Sequence, residues 1–323
     1  MLIDPQRPCL VLAPMEGVTD APMRALLGEV GAFDYGVSEF IRVSQEVPPA
    51  RVFYKHIPEL RTGSKTLSQM PVQVQLLGGN PERMALAASL VSNLGAPGID
   101  INFGCPAPTV NRHDGGATLL KFPNRIRDIV EAVRAAVPKF VPVSAKLRLG
   151  WDEMRAIYEN AERAAEGGAS WITIHGRTKE QGYRPPAYWK PIGEVRKRLG
   201  IPVVANGEIW TVDDFERCRE ETGCLHFMLG RGALADPLLA VKIKARLNVE
   251  TSEAKLSVGH WRRLIERFLF WSEKFPKPST QYALRRIKQW LKYAHMRNEI
   301  LWFDSIKRAA SLEEFLRAMP TED

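Results

Sequence analysis

Short, continuously apolar segments recur through the first three quarters of this chain, at residues 10–13, 35–40, 72–77, 98–102, 141–149, 171–176, 202–206 and 225–230. Strands that are apolar without alternation are buried on both faces, which is the habit of parallel sheets. Stretches with helical patterning lie between them, among them 81–94, 125–137, 152–166 and 213–221. Several end at Gly, which closes helices because it adopts the left-handed conformation without steric cost. Strand and helix in alternation predict a parallel sheet with crossover helices. Eight such units in about 230 residues match a TIM (β/α)8 barrel, whose usual size is about 250 residues. An open doubly wound sheet is the alternative, and the lack of a G-x-G-x-x-G turn after the first strand weighs against it.

After Asp236-Pro237 the strand signals stop. The chain then reads as helix at 238–247, 258–275, 282–296 and 300–319, with Pro276 and Pro278 breaking it in the middle. This predicts a catalytic barrel over 1–241 followed by a small all-α helical bundle over 242–323, and 323 residues suffice for both. Charge divides at the same place. Residues 1–241 hold 28 basic and 27 acidic side chains, whereas 242–323 hold 17 and 10, so nearly all of the net +8 belongs to the tail. A neutral body with a basic appendage points to a polyanionic partner, and nucleic acid is the usual one.

Composition closes off other classes. With 45% hydrophobic and 25% charged residues the chain is globular, not disordered. The four cysteines, Cys9, Cys105, Cys218 and Cys224, include no C-x-x-C pair, so neither a disulfide framework nor a metal site is expected. No apolar run is long enough for a membrane span, and the N-terminus lacks the features of a secretory signal, so a cytoplasmic protein is expected.

In a barrel of this kind the working residues stand at the C-terminal strand ends. Seven of the eight ends are polar here: Pro14-Met15-Glu16-Gly17, Gln73 and Gln75, Asn102-Phe103-Gly104-Cys105, Lys146 and Arg148, His175-Gly176-Arg177, Asn206-Gly207-Glu208, and Gly230-Arg231-Gly232. Buried polar groups are costly unless paired, so this pattern predicts a site for a large polar ligand. Gly207, Gly230 and Gly232 beside Arg231 suit a phosphate. Lys146 and Arg148 alternate onto one face, where two cations could stabilise negative charge on a ring or carbonyl. Cys105 stands past a strand and under a Gly-rich loop, placed as a nucleophile or a general acid, and the run Asp114-Gly115-Gly116-Ala117 gives that loop hinge-like freedom. His175 reads equally as a ligand contact or a core group.

These strand ends, with Gln181-Gly182-Tyr183, resemble the tRNA-dihydrouridine synthases, in order and over the whole barrel. The Pro14-Met15-Glu16-Gly17 start and the tail run Arg286-Ile287-Lys288-Gln289-Trp290-Leu291 resemble the bacterial C subfamily, whose target is position 16 in the D loop. The resemblance implies an FMN cofactor held by Pro14, Met15, Glu16, Gln75, Lys146, His175, Asn206, Gly207, Glu208, Gly230 and Arg231. It implies reduction of FMN by NADPH or NADH, hydride transfer from the flavin to C6 of a uracil flipped out of the tRNA, and Cys105 as the acid that protonates C5. Asn102, Arg148 and Tyr183 would hold the uracil. Arg42, Arg286, Lys288, Tyr293 and Lys307 would contact the tRNA, and a monomer is expected. Within the tail, Arg285, Lys288 and Lys292 fall on one helical stripe and Ile287, Leu291 and Ala294 on another. Two other readings use the same residues: an FMN reductase of a free pyrimidine-like molecule, which leaves the basic tail without a purpose, and a non-catalytic RNA-binding barrel, which leaves Cys105, Lys146 and Arg231 without one.

Overall fold

The computed structural model describes residues 2–248, 256–275 and 279–321. Its sheet has nine strands, all parallel: β1 (Cys9–Leu12), β2 (Tyr35–Val37), β3 (Ile41–Arg42), β4 (Val72–Leu77), β5 (Ile99–Asn102), β6 (Val143–Arg148), β7 (Trp171–His175), β8 (Val203–Asn206) and β9 (His226–Leu229). The order runs β2-β1-β9-β8-β7-β6-β5-β4, and β2 pairs with β4, so the sheet closes into the barrel that the apolar segments predict. Helices such as Pro81–Asn93, Pro123–Ala136, Ala156–Glu166 and Val212–Thr222 cover its outside. Closure gives every strand but the two-residue β3 a partner on both sides.

The second apolar segment, expected as one strand over 35–40, is strand only at Tyr35–Val37, and β3 lies beyond its end. The Ser38 hydroxyl accepts the Gln75 N–H at 3.1 Å and donates to the Glu39 carbonyl at 2.9 Å. A side chain thus takes the place of a backbone partner, and the chain leaves the ladder before rejoining it as β3 against Leu76 and Leu77.

Two different surfaces line the barrel interior. Cys9 and Val11 on β1, Ala13 just after it, Tyr35 and Val37 on β2, Trp171, Val204 and Met228 form a compact apolar cluster of their own. The inward positions of β4, β5 and β6 are polar instead, carrying Gln73, Gln75, Asp100, Asn102, Ser144, Lys146 and Arg148. The main hydrophobic core lies between the strands and the surrounding helices and continues into the tail, where Trp261, Phe268, Ile287, Trp290, Leu291 and Ala294 are buried.

The tail consists of Leu239–Leu247, Val258–Glu273, Thr280–Met296, Phe303–Ile306 and Leu312–Ala318. Pro276 and Pro278, read as the helix break, lie outside the described residues. The stretch expected as one helix over 300–319 is two, because Ser311 caps a new start: its hydroxyl accepts the Glu314 N–H at 3.1 Å, and the Glu314 carboxylate accepts the Ala310 N–H at 2.7 Å. The tail packs on the barrel helix Ala21–Val30. Glu29 accepts from Arg267 at 2.9 Å and from the Trp271 indole at 2.6 Å, and the Trp290 indole donates to the Leu234 carbonyl at 3.0 Å.

Candidate active site

At the C-terminal strand ends the barrel opens into a cavity of about 940 Å³, counting the solvent at its open mouth. It gathers residues scattered over more than 200 positions of sequence. Pro14, Met15 and Glu16 come from the loop after β1, Gln75 from β4, Asn102 and Cys105 from the end of β5, Lys146 and Arg148 from β6, and His175 from β7 with Tyr183 beyond it. Asn206, Gly207 and Glu208 follow β8, and Gly230 and Arg231 follow β9.

The polar floor is held by two hydrogen-bonded runs. The Gln75 amide donates to Asp100 at 2.6 Å and accepts from Asn102 at 2.9 Å, while Ser144 donates to Asp100 at 2.5 Å and accepts from Gln73 at 3.0 Å. Asn102 in turn accepts the N–H groups of Gly104 and Cys105, each at 2.9 Å, which fixes the turn that carries the thiol. Lys146 donates to Asn206 at 3.1 Å, and Asn206 donates to the Met228 carbonyl at 2.8 Å. Burial lowers the Lys146 ammonium below the usual lysine range, and Arg148 adds to this. Burial raises the carboxyl of Asp100, against hydrogen bonds from Gln75 and Ser144. A networked floor of this kind holds its shape because each group would be costly to strand.

Arg148 spends its donors on the walls: Nε on the Gly104 carbonyl at 2.8 Å, and Nη1 on Thr178 at 3.0 Å and Gly182 at 2.8 Å. It ties the Cys105 turn to the loop after β7. Its guanidinium also lies 5.3 Å from the Tyr183 ring centre. Cys105 is half-buried, and burial pushes its thiol above the ordinary range. The neutral thiol therefore dominates at physiological pH, and a neutral thiol can donate a proton. The loop that follows is cross-linked: the Ala117 N–H bonds the Cys105 carbonyl at 3.1 Å, Thr118 bonds Asn111, and Asp114 pairs with Arg125. The expected hinge at 114–117 is thus anchored at its outer end.

The opposite wall is cationic. Burial and the charges of Arg148, Lys146, Arg177 and Arg231 hold the His175 imidazole neutral, and its buried Nδ1 has no hydrogen-bond partner among the described residues. Gly207 has φ +116°, a conformation open to glycine, and a Cβ there would approach the His175 ring to 3.1 Å. A Cβ on Gly230 would meet nothing closer than Met15 at 3.5 Å, so there is open room beside Arg231. One oxygen of Glu208 bridges Arg177 at 2.6 Å and Arg231 at 3.0 Å. Its carboxylate thereby holds two guanidinium groups, of which Arg231 lines the cavity. A cation at the base, an unpartnered imidazole nitrogen and an Arg-flanked glycine cradle together fit a phosphorylated heterocycle such as FMN.

Five of the expected residues stand outside this cavity. Arg42, half-buried on β3, is near enough to act electrostatically on the Cys105 thiol. Tyr293, on the tail helix, does the same for Arg231. Lys288 donates to the Ala309 carbonyl, and Lys307 pairs with Asp304 at 2.6 Å. Arg286 departs from expectation. Expected to contact RNA, it is 5% exposed and its guanidinium is turned into the protein, onto Asp20, Gln289 and the carbonyls of Gly17 and Val18. Its spacing contained the signal: three residues after Ala283 and four before Trp290, it shares their buried face.

Glu39, Phe40 and Trp210 also line the cavity and carried no expectation. Glu39 accepts the Val18 N–H at 3.2 Å, and burial lifts its carboxyl to about 7, against the pull of Arg24. It follows β2, the one strand whose end was not read as polar; the same rule applied there finds it. Trp210 lies between guanidinium groups of the barrel and the tail, 4.9 Å from Arg231 and 5.0 Å from Arg297. No group of three or more metal-ligating side chains occurs among the described residues.

Comparison with known proteins places this geometry. Curated tRNA-dihydrouridine(16) synthases are 46% identical in Aquipseudomonas alcaligenes, over 87% of this chain and 89% of that protein, and 43% identical in Haemophilus influenzae, over 94% and 97%. Among solved structures, a histamine dehydrogenase from Rhizobium sp. 4-9 superposes with TM-score 0.57 at 14% identity, over 81% of this chain and 48% of that one. An old yellow enzyme homologue from Zymomonas mobilis gives TM-score 0.52 at 16% identity, over 76% and 92%. At that identity the likeness is one of fold. The family model described as dihydrouridine synthase matches residues 11–322, nearly the whole length, and the chain belongs to that family.

Proposed function

We propose that this protein reduces the C5–C6 double bond of a uridine in tRNA to 5,6-dihydrouridine, at position 16 of the D loop, with bound FMN and with NADPH or NADH as the reductant. The curated relatives carry that activity and position in their names. One observation in this chain carries the chemistry: a thiol kept neutral by burial lines the same cavity as a buried lysine at the base and an Arg-flanked glycine cradle.

Reduced FMN, when bound, supplies the hydride that adds to C6 of the uracil. The protein's own residues do the rest. Pro14, Met15, Glu16 and Gln75 bound the space for the ring, and Lys146 places positive charge there, favouring negative charge on the bound heterocycle. His175, Asn206, Gly207, Glu208, Gly230 and Arg231 form the phosphate end. Asn102 and Arg148 hold the turn that presents Cys105, whose Sγ–H proton passes to C5, so that the pyrimidine gains one hydride and one proton. Tyr183, 58% exposed at the rim, offers a ring for an unstacked base.

Residues 1–241 would be the catalytic unit and 242–323 the tRNA-recognition unit, in a monomer working in the cytoplasm. No helix among the described residues is long and apolar enough to cross a membrane. The purified protein should be yellow, and Cys105→Ala should retain FMN while losing dihydrouridine formation on a tRNA transcript by a factor of about 10² or more. A colourless protein, or a variant with full product yield, would refute the reading. Reduction of free uracil at the rate found with tRNA would favour the small-molecule alternative.

A further inference from the structure

We infer that the tail is part of the cofactor site: Arg286, on the tail helix Thr280–Met296, is a positioning residue that clamps the loop after β1, which carries Pro14, Met15 and Glu16 into the cavity.

The loop spans 13–20, between β1 and the helix Ala21–Val30. Inside the barrel it is held by modest ties. The Thr19 hydroxyl accepts the Met15 N–H at 2.7 Å, Glu39 accepts the Val18 N–H at 3.2 Å, and Arg24 donates to the Thr19 carbonyl at 2.8 Å. The outer side of the turn, from Gly17 to Asp20, is closed from the tail. Arg286 donates to the carbonyls of Gly17 and Val18 and pairs with the Asp20 carboxylate at 3.0 Å, and the Tyr282 hydroxyl, one helical turn earlier, donates to the same carboxylate. A guanidinium presents donors in a fixed planar fork, so one side chain can hold two carbonyls and a carboxylate in a set relation. With Arg286 only 5% exposed, water competes little for these bonds. Asp20 is also the N-cap of the helix that follows, accepting the Met23 N–H at 3.2 Å, so the clamp fixes the turn and the helix start together.

This rests on the flavin reading above only for the name of the ligand; the clamp itself is tested without it. In the full-length flavin-free protein, hydrogen exchange of the amides at 15–19 should quicken about tenfold or more in Arg286→Ala and less in Arg286→Lys. Amides of β6 report global stability and should be unchanged. Lys292→Ala, on the exposed side of the same helix, should alter neither. FMN titrated into the same variants should bind at least tenfold more weakly to Arg286→Ala, with partial rescue in Arg286→Lys. If exchange at 15–19 and FMN affinity match the unaltered protein while tRNA affinity falls, Arg286 is an RNA contact and the clamp is wrong. If 15–19 and β6 loosen together, Arg286 serves general stability and the clamp is again wrong. If no variant binds FMN, the unaltered protein included, the flavin reading fails, and the exchange data still decide the clamp.

Discussion

A single thiol shows how the site acts at the scale of one residue. Cys105 is raised by burial first, with the Glu16 charge adding to it, while the Ala107 N–H, Arg148 and Arg42 pull the other way. Since the net direction is upward, the proton donor is intact below the raised value and is lost as pH climbs through it. Alkylation of Cys105 by iodoacetamide, read by mass spectrometry in the unloaded protein, should therefore stay slow through pH about 8.5, the ordinary thiol value, and quicken only above it. Fast alkylation beginning below pH 8 would mean that the arginines win and the group is a thiolate. Cys105 and Lys146 were legible in the sequence because a polar residue ending an apolar strand is anomalous by itself. Glu39 obeys the same rule at the end of β2. What no residue pattern gives is the sign of a pKa shift, which depends on how burial and charges from distant segments add at one point.

Elements position these residues, and their rigidity can be traced to particular contacts. Arg24, fully buried on the helix Ala21–Val30, forms a two-pronged pair with Glu59 at 2.7 and 2.9 Å and also bonds the carbonyls of Thr19 and His56. Removing one partner of a buried pair leaves an uncompensated charge, a loss of about 3–5 kcal/mol. Glu59→Gln should lower unfolding stability by about 3 kcal/mol in denaturant titration, reduced from the full range because the amide oxygen still accepts a hydrogen bond. A change below 1 kcal/mol would show that the pair is not isolated from water. Strand and helix positions were legible from periodicity, which is a local property. The two places where elements were misread, at Ser38 and at Ser311, are both sites where a serine side chain replaced a backbone partner. The second carried a written cue, Ser311-Leu312-Glu313-Glu314, a capping pattern inside an apparent helix.

Across the whole molecule, the barrel is close to neutral and the basic excess sits in the tail. If that charge meets tRNA phosphates, affinity should fall steeply with salt, and Arg285→Ala or Lys292→Ala, both exposed on the tail helix, should each flatten the log–log salt slope by about one unit. An unchanged slope in both variants would remove this face from the interface. Arg286 belongs to the opposite class: a tail charge buried against the barrel. The sequence by itself determined the parallel barrel, the helical tail, the uneven charge and the polar strand ends, because periodicity, composition and local motifs are carried by neighbouring residues. Only the tertiary structure decided which charges face solvent and which are consumed inside, that Glu208 serves two arginines, and that a tail side chain closes the turn after β1. Those outcomes depend on groups up to 269 positions apart meeting in a buried space, where removal from water makes each pairing obligatory.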